Sequence, residues 1–460
     1  MNFGQASAPA VLISIAAYGY LLFIMFTVTS PRRAAGTGII GGILLLPIFK
    51  AKIPHIPVID KGILIGILVL GFSLIFDRST WKNFKLRWFD LPVLLWCSSS
   101  ILSSLTNSLG FIDGLYETGS KCMLWGVPYF IGRVYYSDPR QSRNLAMGIF
   151  VGGLIYVPLC LIEINLSPQL HRWVYGYHPH SFEQSIRFGG YRPVAFMSHG
   201  LMLGLWMTLS TLCGVWLWKL DLFRKNEDKL AKFSLVILVI TTFLVKSSGA
   251  LIFLLMGLVT LYFDKQKFLK FLVISLALIP FIYVPARTMD YWTGKTAVDL
   301  AANYIGPDRA YSLAFRLDNE EIMIRKTMEK PLFGWGGWGR GRVYDEDGKD
   351  VSVTDSLWII AFTQNGFWGT FWLYFCLILP CLLFFHYKIH DAGLVYSAPM
   401  SVLTVCILLY VLDTVLNNMP NPVYMILIGA VNGQSAVIAG LRDRQKIGTS
   451  VESDTLVTAT

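Results

Sequence analysis

The apolar residues of this chain come in long unbroken runs, not at the 3.6-residue spacing of an amphipathic helix or the alternation of a half-buried strand. At about 20 residues per bilayer-spanning helix, the runs predict about 13 spans. They lie near residues 10–29, 36–49, 60–76, 89–105, 119–135, 145–164, 194–217, 233–246, 249–263, 268–285, 360–385, 393–413 and 422–440. The runs 36–49, 233–246 and 249–263 are short enough for half-spans or a tight hairpin. A membrane β-barrel is excluded, because its strands would alternate polar and apolar residues. The expected fold is therefore an all-α polytopic integral membrane protein with about 12–13 transmembrane helices.

Two segments interrupt the rhythm of runs and short turns, one at 165–193 and one at 286–355. Connections of this length are uncommon unless they are functional or fold on their own. The chain accordingly divides into N-terminal helices (1–164), a medium loop (165–193), central helices (194–285), a large loop (286–355), C-terminal helices (356–441) and a polar tail (442–460). Within the large loop, 313–331 reads as a helix with Leu313, Leu317, Ile322, Met323, Ile324 and Met328 roughly on one side, ended by Pro331.

Composition and charge add a topology. Of the 460 residues, 54% are hydrophobic and 15% charged, with a net charge of +10. The basic residues sort by side of the membrane instead of forming one patch, so no nucleic-acid partner is expected. One set of loops holds 19 of them: Arg32, Arg33, Arg78, Lys82, Lys85, Arg87, Arg140, Arg143, Arg224, Lys225, Lys229, Lys232, Lys265, Lys267, Lys270, Lys388, Arg442, Arg444 and Lys446. The short loops of the opposite side hold 7, and the richer side is taken as cytoplasmic. Both long loops then face outward and the C-terminus inward. Residues 1–9 lack the basic start of a cleavable signal peptide. No Walker A motif is present, which argues against nucleotide hydrolysis. The seven cysteines all fall in apolar runs and read as core packing.

The outer loops concentrate arginine, at 172, 187, 192, 287, 309, 316, 325, 340 and 342. Guanidinium groups grip phosphate in planar, bidentate fashion and keep their charge when partly desolvated, so the set suits a phosphorylated ligand. Ordinary pairing with Asp308, Asp318, Glu320, Glu321, Asp345 and Asp347, or contact with lipid headgroups, is the alternative. "GWGGWG" (334–339) satisfies G-x-G-x-x-G but lacks the strand–turn–helix context of a dinucleotide site. It reads as a loop whose glycines permit positive φ, with Trp335 and Trp338 at the membrane surface. Lys330 and Arg340 flank it.

His171, His178, His180 and Glu183 lack a convincing ligand set, so no metal is expected. His199, just inside a span, is either a substrate contact or a helix-packing histidine. Lys121, Arg133, Glu163 and Asp413 are intramembrane charges that either mark a transport path or pair with one another. Asp355 stands where the large loop re-enters the membrane, placed to take a proton from a hydroxyl or to cap the following helix.

With the arginines, "PLFGWGGWG" and Asp355 in place, the chain resembles the O-antigen ligase and Wzy-type polysaccharide polymerase superfamily. Its members have about a dozen spans, a medium and a large outer loop, an arginine helix and a "PLFGxG" turn. Arg316 precedes the turn as the family's arginine does, and "GGYRPVAFMSHG" (189–200) looks like its arginine segment. "VKSSGALIFLL" (245–255) is similar to its Ser-Arg-Gly-Ala hairpin, with Ser248 where arginine is usual. Thr354-Asp355 stands where ligases carry a His-Asn or similar pair, which favours polymerase or another glycan transfer and leaves ligase-type transfer to a lipid or protein acceptor as the alternative.

The resemblance implies cofactor-free, metal-independent glycosyl transfer, with inversion, on the outer face of a bacterial inner membrane. The donor would be a polyprenyl-diphosphate-linked oligosaccharide, gripped by Arg192 and Arg316, with Asp355 as base. Arg187, His199, Arg325, Lys330, Trp335, Trp338 and Arg340 would contact substrate. Membrane lipid and polysaccharide export or chain-length proteins are the expected partners. A transporter or flippase of lipid-linked or anionic solutes, or an inactive scaffold of an export complex, is the reading from a different class.

Overall fold

A computed structural model of the chain describes all residues except 1–7, 53–56, 221–222, 224–227, 263–265, 305, 388–393 and 439–460. The expected tail 442–460, and the cationic positions Arg224, Lys225, Lys265, Lys388, Arg442, Arg444 and Lys446, lie outside the described residues. The protein is an all-α polytopic membrane protein. Among the described residues, seven helices are long and apolar enough to cross a bilayer: Pro9–Val28, Trp88–Thr106, Pro139–Leu166, Gly200–Lys219, Lys270–Thr288, Leu357–His386 and Pro399–Leu416. Three shorter apolar helices, Lys61–Phe76, Ser248–Tyr262 and Pro422–Ile438, match further expected runs.

The remaining three expected spans depart from the simple picture. Run 36–49 is the helix Pro31–Leu45, started by Pro31 and by Ser30, whose hydroxyl accepts from the Arg33 amide. Run 233–246 is Asp228–Leu244. Run 119–135 is not one helix. Phe111–Lys121 passes through a five-residue π-helical segment, Cys122–Gly126, into Val127–Tyr135. Pro128 near the start of the second half fits a re-set of the hydrogen-bond ladder at this point.

Both long loops sit at one end of the bundle and are tied to it. The medium loop is clamped by Glu163, near the end of Pro139–Leu166. Its carboxylate accepts from the amides of Val194 and Ala195, both at 2.7 Å, and of Leu170 at 3.0 Å. His171 is held between the Ile48 amide and the Tyr177 carbonyl, and burial pushes it down to about 4. The loop's antiparallel hairpin pairs Ile186 with Tyr191 and Arg187 with Gly190.

The large loop contains the helices Lys295–Tyr304 and Pro307–Thr327. The second begins six residues before the expected 313, because Gly306 (φ +124°) and Pro307 already form a helix start, and it ends four residues before Pro331. Glu320 locks this arginine helix onto the bundle. Its carboxylate accepts from Tyr283 (2.7 Å), Trp358 (2.9 Å) and Ser356 (3.1 Å), with Arg287 at 3.5 Å. Burial raises the Glu320 carboxyl above the usual range despite these donors. Glu320→Ala would leave Arg287, only 2% exposed, without its nearest carboxylate. A loss of about 3–5 kcal/mol is expected, read as a lower midpoint in detergent unfolding, with Glu320→Gln retaining part of it.

The "PLFGWG" turn is built into a break in a membrane helix. Leu357–His386 is interrupted at Gly366, whose φ of 61° and ψ of −161° suit glycine alone. Four main-chain bonds from the turn serve the freed groups: Trp335 N to Thr363 O, Gly336 N to Gln364 O, Phe367 N to Pro331 O and Trp368 N to Leu332 O. Ser103 adds a bond to the Gln364 carbonyl at 2.6 Å. A helix break within a bilayer is tolerated only where protein satisfies the backbone, and here the turn does so.

Candidate functional site

A strongly charged cavity lies at the end of the bundle that carries the long loops. It measures about 200 Å³ and is lined by Arg187, Arg192, Lys246 and Arg316 around Ser247, Ser248 and Asp413, among others. A larger cavity of about 410 Å³ lies between Pro31–Leu45 and Pro139–Leu166, but among the described residues Arg33 is the one charged side chain on its wall. Charge therefore assigns the site to the smaller cavity.

Each cation is held in its own way. Arg187 and Arg192 flank the turn of the medium-loop hairpin. The Arg192 guanidinium donates to the Gln184 carbonyl at 2.8 Å, while its backbone amide donates to Ser185 O at 2.7 Å. Gly200 leaves room for it, since a Cβ there would stand 2.7 Å from Arg192 Nε. Lys246 sits at positive φ (56°), just before Ser248–Tyr262, and its ammonium packs against Gly190 so closely that a Cβ there would collide with it. Ser247, Ser248 and Gly249 at the start of that helix also line the cavity, so its N-terminal amides and positive dipole end add to the cations. Arg316 comes from the arginine helix one turn before Glu320, so the Glu320 anchor fixes its direction.

Asp355 lies beside this group. Its Oδ2 is 3.9 Å from Arg316 Nε and its side chain is 41% exposed. It does not cap the following helix, contrary to one of the two roles the sequence allows. The cap position is Ser356, whose hydroxyl turns to Glu320, and the Leu357 amide donates to Asn417 O. The helix begins one residue later than an Asp355 cap requires, with Ser356 in the extended cap conformation and the Leu357 amide taken by Asn417 O. Asp413, whose Oδ1 accepts from Asn417 at 2.7 Å, is the carboxylate on the cavity wall itself.

His199 joins the cluster in a specific state. Its Nδ1 accepts from the Leu201 amide at 3.0 Å, which makes it the N-cap of Gly200–Lys219, so the neutral ring carries its proton on Nε2 and donates to Gln184 Oε1 at 3.1 Å. Burial, then the nearby Arg192, push it down to about 3, so it stays neutral. The His180 ring packs edge-on against it at 4.5 Å. Among the described residues no three His, Cys, Asp or Glu side chains converge as a metal set.

The other expected contacts are placed elsewhere. Arg325 is 79% exposed and pairs with Glu321 at 2.9 Å. Lys330 donates to Asn107, and its ammonium and that of Lys326 lie 4.2 and 4.1 Å from the Trp335 ring centre. The Trp335 indole donates to Lys326 O at 2.9 Å. Arg340 grips both oxygens of Asp113, at 2.7 and 2.6 Å. Lys330, Trp335 and Arg340 thus fasten the turn instead of lining the cavity. Trp338, 55% exposed with the Arg342 guanidinium 4.9 Å from its ring, keeps an open face. The Arg309 side chain lies outside the described residues.

The Arg340 bonds hold the Asp113 carboxyl below its ordinary value. A depressed carboxylate contributes stability above its unfolded value, about 3.9, and loses it only as pH falls through the lower folded value. Protection of the turn in hydrogen exchange is therefore expected to persist below pH ~4 and to be lost at every pH in Asp113→Asn.

The intramembrane charges are engaged in packing, with Asp413 also facing the cavity. Arg133 pairs with Asp90 at 3.0 Å and Glu163 clamps the medium loop. Lys121 donates to Ser99 and to Asn365 beside the helix break.

Lys246 is the functional candidate that sequence reasoning passed over. Its signal was present in "KSSG" directly before an apolar run, which is a helix-start pattern following a cation. Against known proteins, neither protein-family profiles nor curated sequences yield a match to the chain.

Proposed function

We propose that the protein transfers a glycosyl group from a polyprenyl-diphosphate-linked saccharide to a sugar hydroxyl, on the outer face of a bacterial inner membrane, and so polymerises exopolysaccharide or O-antigen repeat units. The observation that carries this reading is the convergence of Arg187, Arg192, Lys246 and Arg316 with a helix N-terminus on one cavity at the end of the bundle that carries the long loops. That is an arrangement for two adjacent phosphates, and its position suits a lipid-borne one.

In this reading the cations hold the diphosphate and stabilise the negative charge that builds as the anomeric carbon–oxygen bond breaks. The acceptor hydroxyl attacks the anomeric carbon from the opposite face, its proton passing to Asp355, and polyprenyl diphosphate leaves. Arg316, with Nε 3.9 Å from Asp355 Oδ2, orients that carboxylate. His199, neutral and committed at both ring nitrogens, serves as a positioning group for Gln184 and through it Arg192. The packing partners of Arg133 and Glu163 leave little of a charged transport path.

The test is purified protein in detergent given polyprenyl-diphosphate oligosaccharides, with glycan length and released prenyl diphosphate measured together. Longer chains with stoichiometric prenyl diphosphate are expected. Movement of labelled lipid across liposomes with no chain extension would replace this reading by a flippase.

A further inference from the structure

We propose that the tip of the large loop's helical hairpin is a platform for the acceptor glycan, an inference that rests on the glycosyl-transfer reading. The helices Lys295–Tyr304 and Pro307–Thr327 meet at Gly306, whose amide closes onto Ala301 O at 2.9 Å. Beside this tip stand Tyr304 and Tyr311, exposed by 83% and 74%, with Phe315, exposed by 44%, one turn beyond Tyr311. Neither tyrosine side chain has a hydrogen-bond or ring partner among the described residues. Two large rings held in the open at the ends of two packed helices suggest a surface made to be covered.

Its position indicates by what. Tyr311 and Phe315 are one helical turn apart, about 6 Å along the axis. Ser312, Leu313 and Arg316 of the same helix line the charged cavity. The ring stripe therefore runs beside the cavity stripe, from near Arg316 towards the tip. Tyrosine offers a flat apolar face with a polar edge, which matches the faces and hydroxyl rims of sugar rings. The exposed carboxylate of Asp308 at the same tip supplies a hydroxyl acceptor.

The probe is a set of short and long oligosaccharides cut from the surface polysaccharide of the producing cells, added to protein in nanodiscs. Long fragments are expected to slow nitration of Tyr304 and Tyr311, read by mass spectrometry, in zwitterionic discs. Tyr304→Ser with Tyr311→Ser is expected to raise the apparent KM for long acceptors about tenfold without raising that for the lipid-linked donor. Protection that appears only in anionic discs, or a double variant with the wild-type acceptor KM, overturns the platform. If glycans protect the tyrosines but no donor is consumed by wild type, the platform stands and the transferase reading falls; extension without protection gives the reverse.

Discussion

Replacing Arg316 or Arg192 by alanine is expected to lower chain extension by about 10²–10³-fold, with most of the loss in kcat. Both side chains line the cavity, and each is fixed from behind: Arg192 by the Gln184 carbonyl and Arg316 by the Glu320 anchor one turn away. Groups held in place before charge develops cost no reorganisation at the moment of reaction, which is why their removal weighs on the transition state. Arg316→Lys should recover only a small part, since an ammonium lacks the planar fork that meets two phosphate oxygens. Arg325→Ala, nine residues along the same helix but in a solvated pair with Glu321, should stay within about twofold. Equal activity of Arg316→Ala and wild type in the extension assay would remove the cavity as the site.

The second large effect concerns the turn. Gly366→Ala and Gly334→Ala are each expected to cost more than about 3 kcal/mol and to abolish recovery of folded protein from detergent. A Cβ at Gly366 would run into the Leu332 carbonyl group, and one at Gly334 would stand 2.6 Å from the Asn365 amide. In both cases the obstacle is backbone, which cannot swing aside. Gly339 is the control, with φ of +90° and nothing within 4 Å of an added Cβ. Gly339→Ala should cost only the conformational penalty of about 1–2 kcal/mol. The yield of folded protein from detergent, lost in the first two and retained in Gly339→Ala, separates steric exclusion from the shared positive φ.

The membrane architecture was plain in the sequence, because uninterrupted apolar runs of span length are rarely stable anywhere but in a bilayer. Arg187, Arg192 and Arg316 were legible too, since cations in long outer loops stand out from lipid-soluble surroundings. Nothing in the sequence separated these from Arg325, Lys330 and Arg340. All six are cations in outer loops, and only tertiary geometry shows that Arg340 turns to Asp113 while Arg316 turns to the cavity. The helix break was hidden for a different reason. "FTQNGFWGTF" lies within an apolar run, and a glycine in such a run is tolerated in continuous helices as readily as in broken ones. Asn107 and Asp113 were passed over as anchors because their partners are more than 200 positions away.

The stitched break also bears on how the protein is made. Residues 331–336 are made before 363–368, so the groups that satisfy the break already exist in the chain when the break itself is made. Until the two meet, that span carries unpaired amides and carbonyls at a depth where water is scarce. Its stable packing should therefore wait on docking of the turn, which makes "PLFGWG" a step of assembly as much as a part of the finished fold.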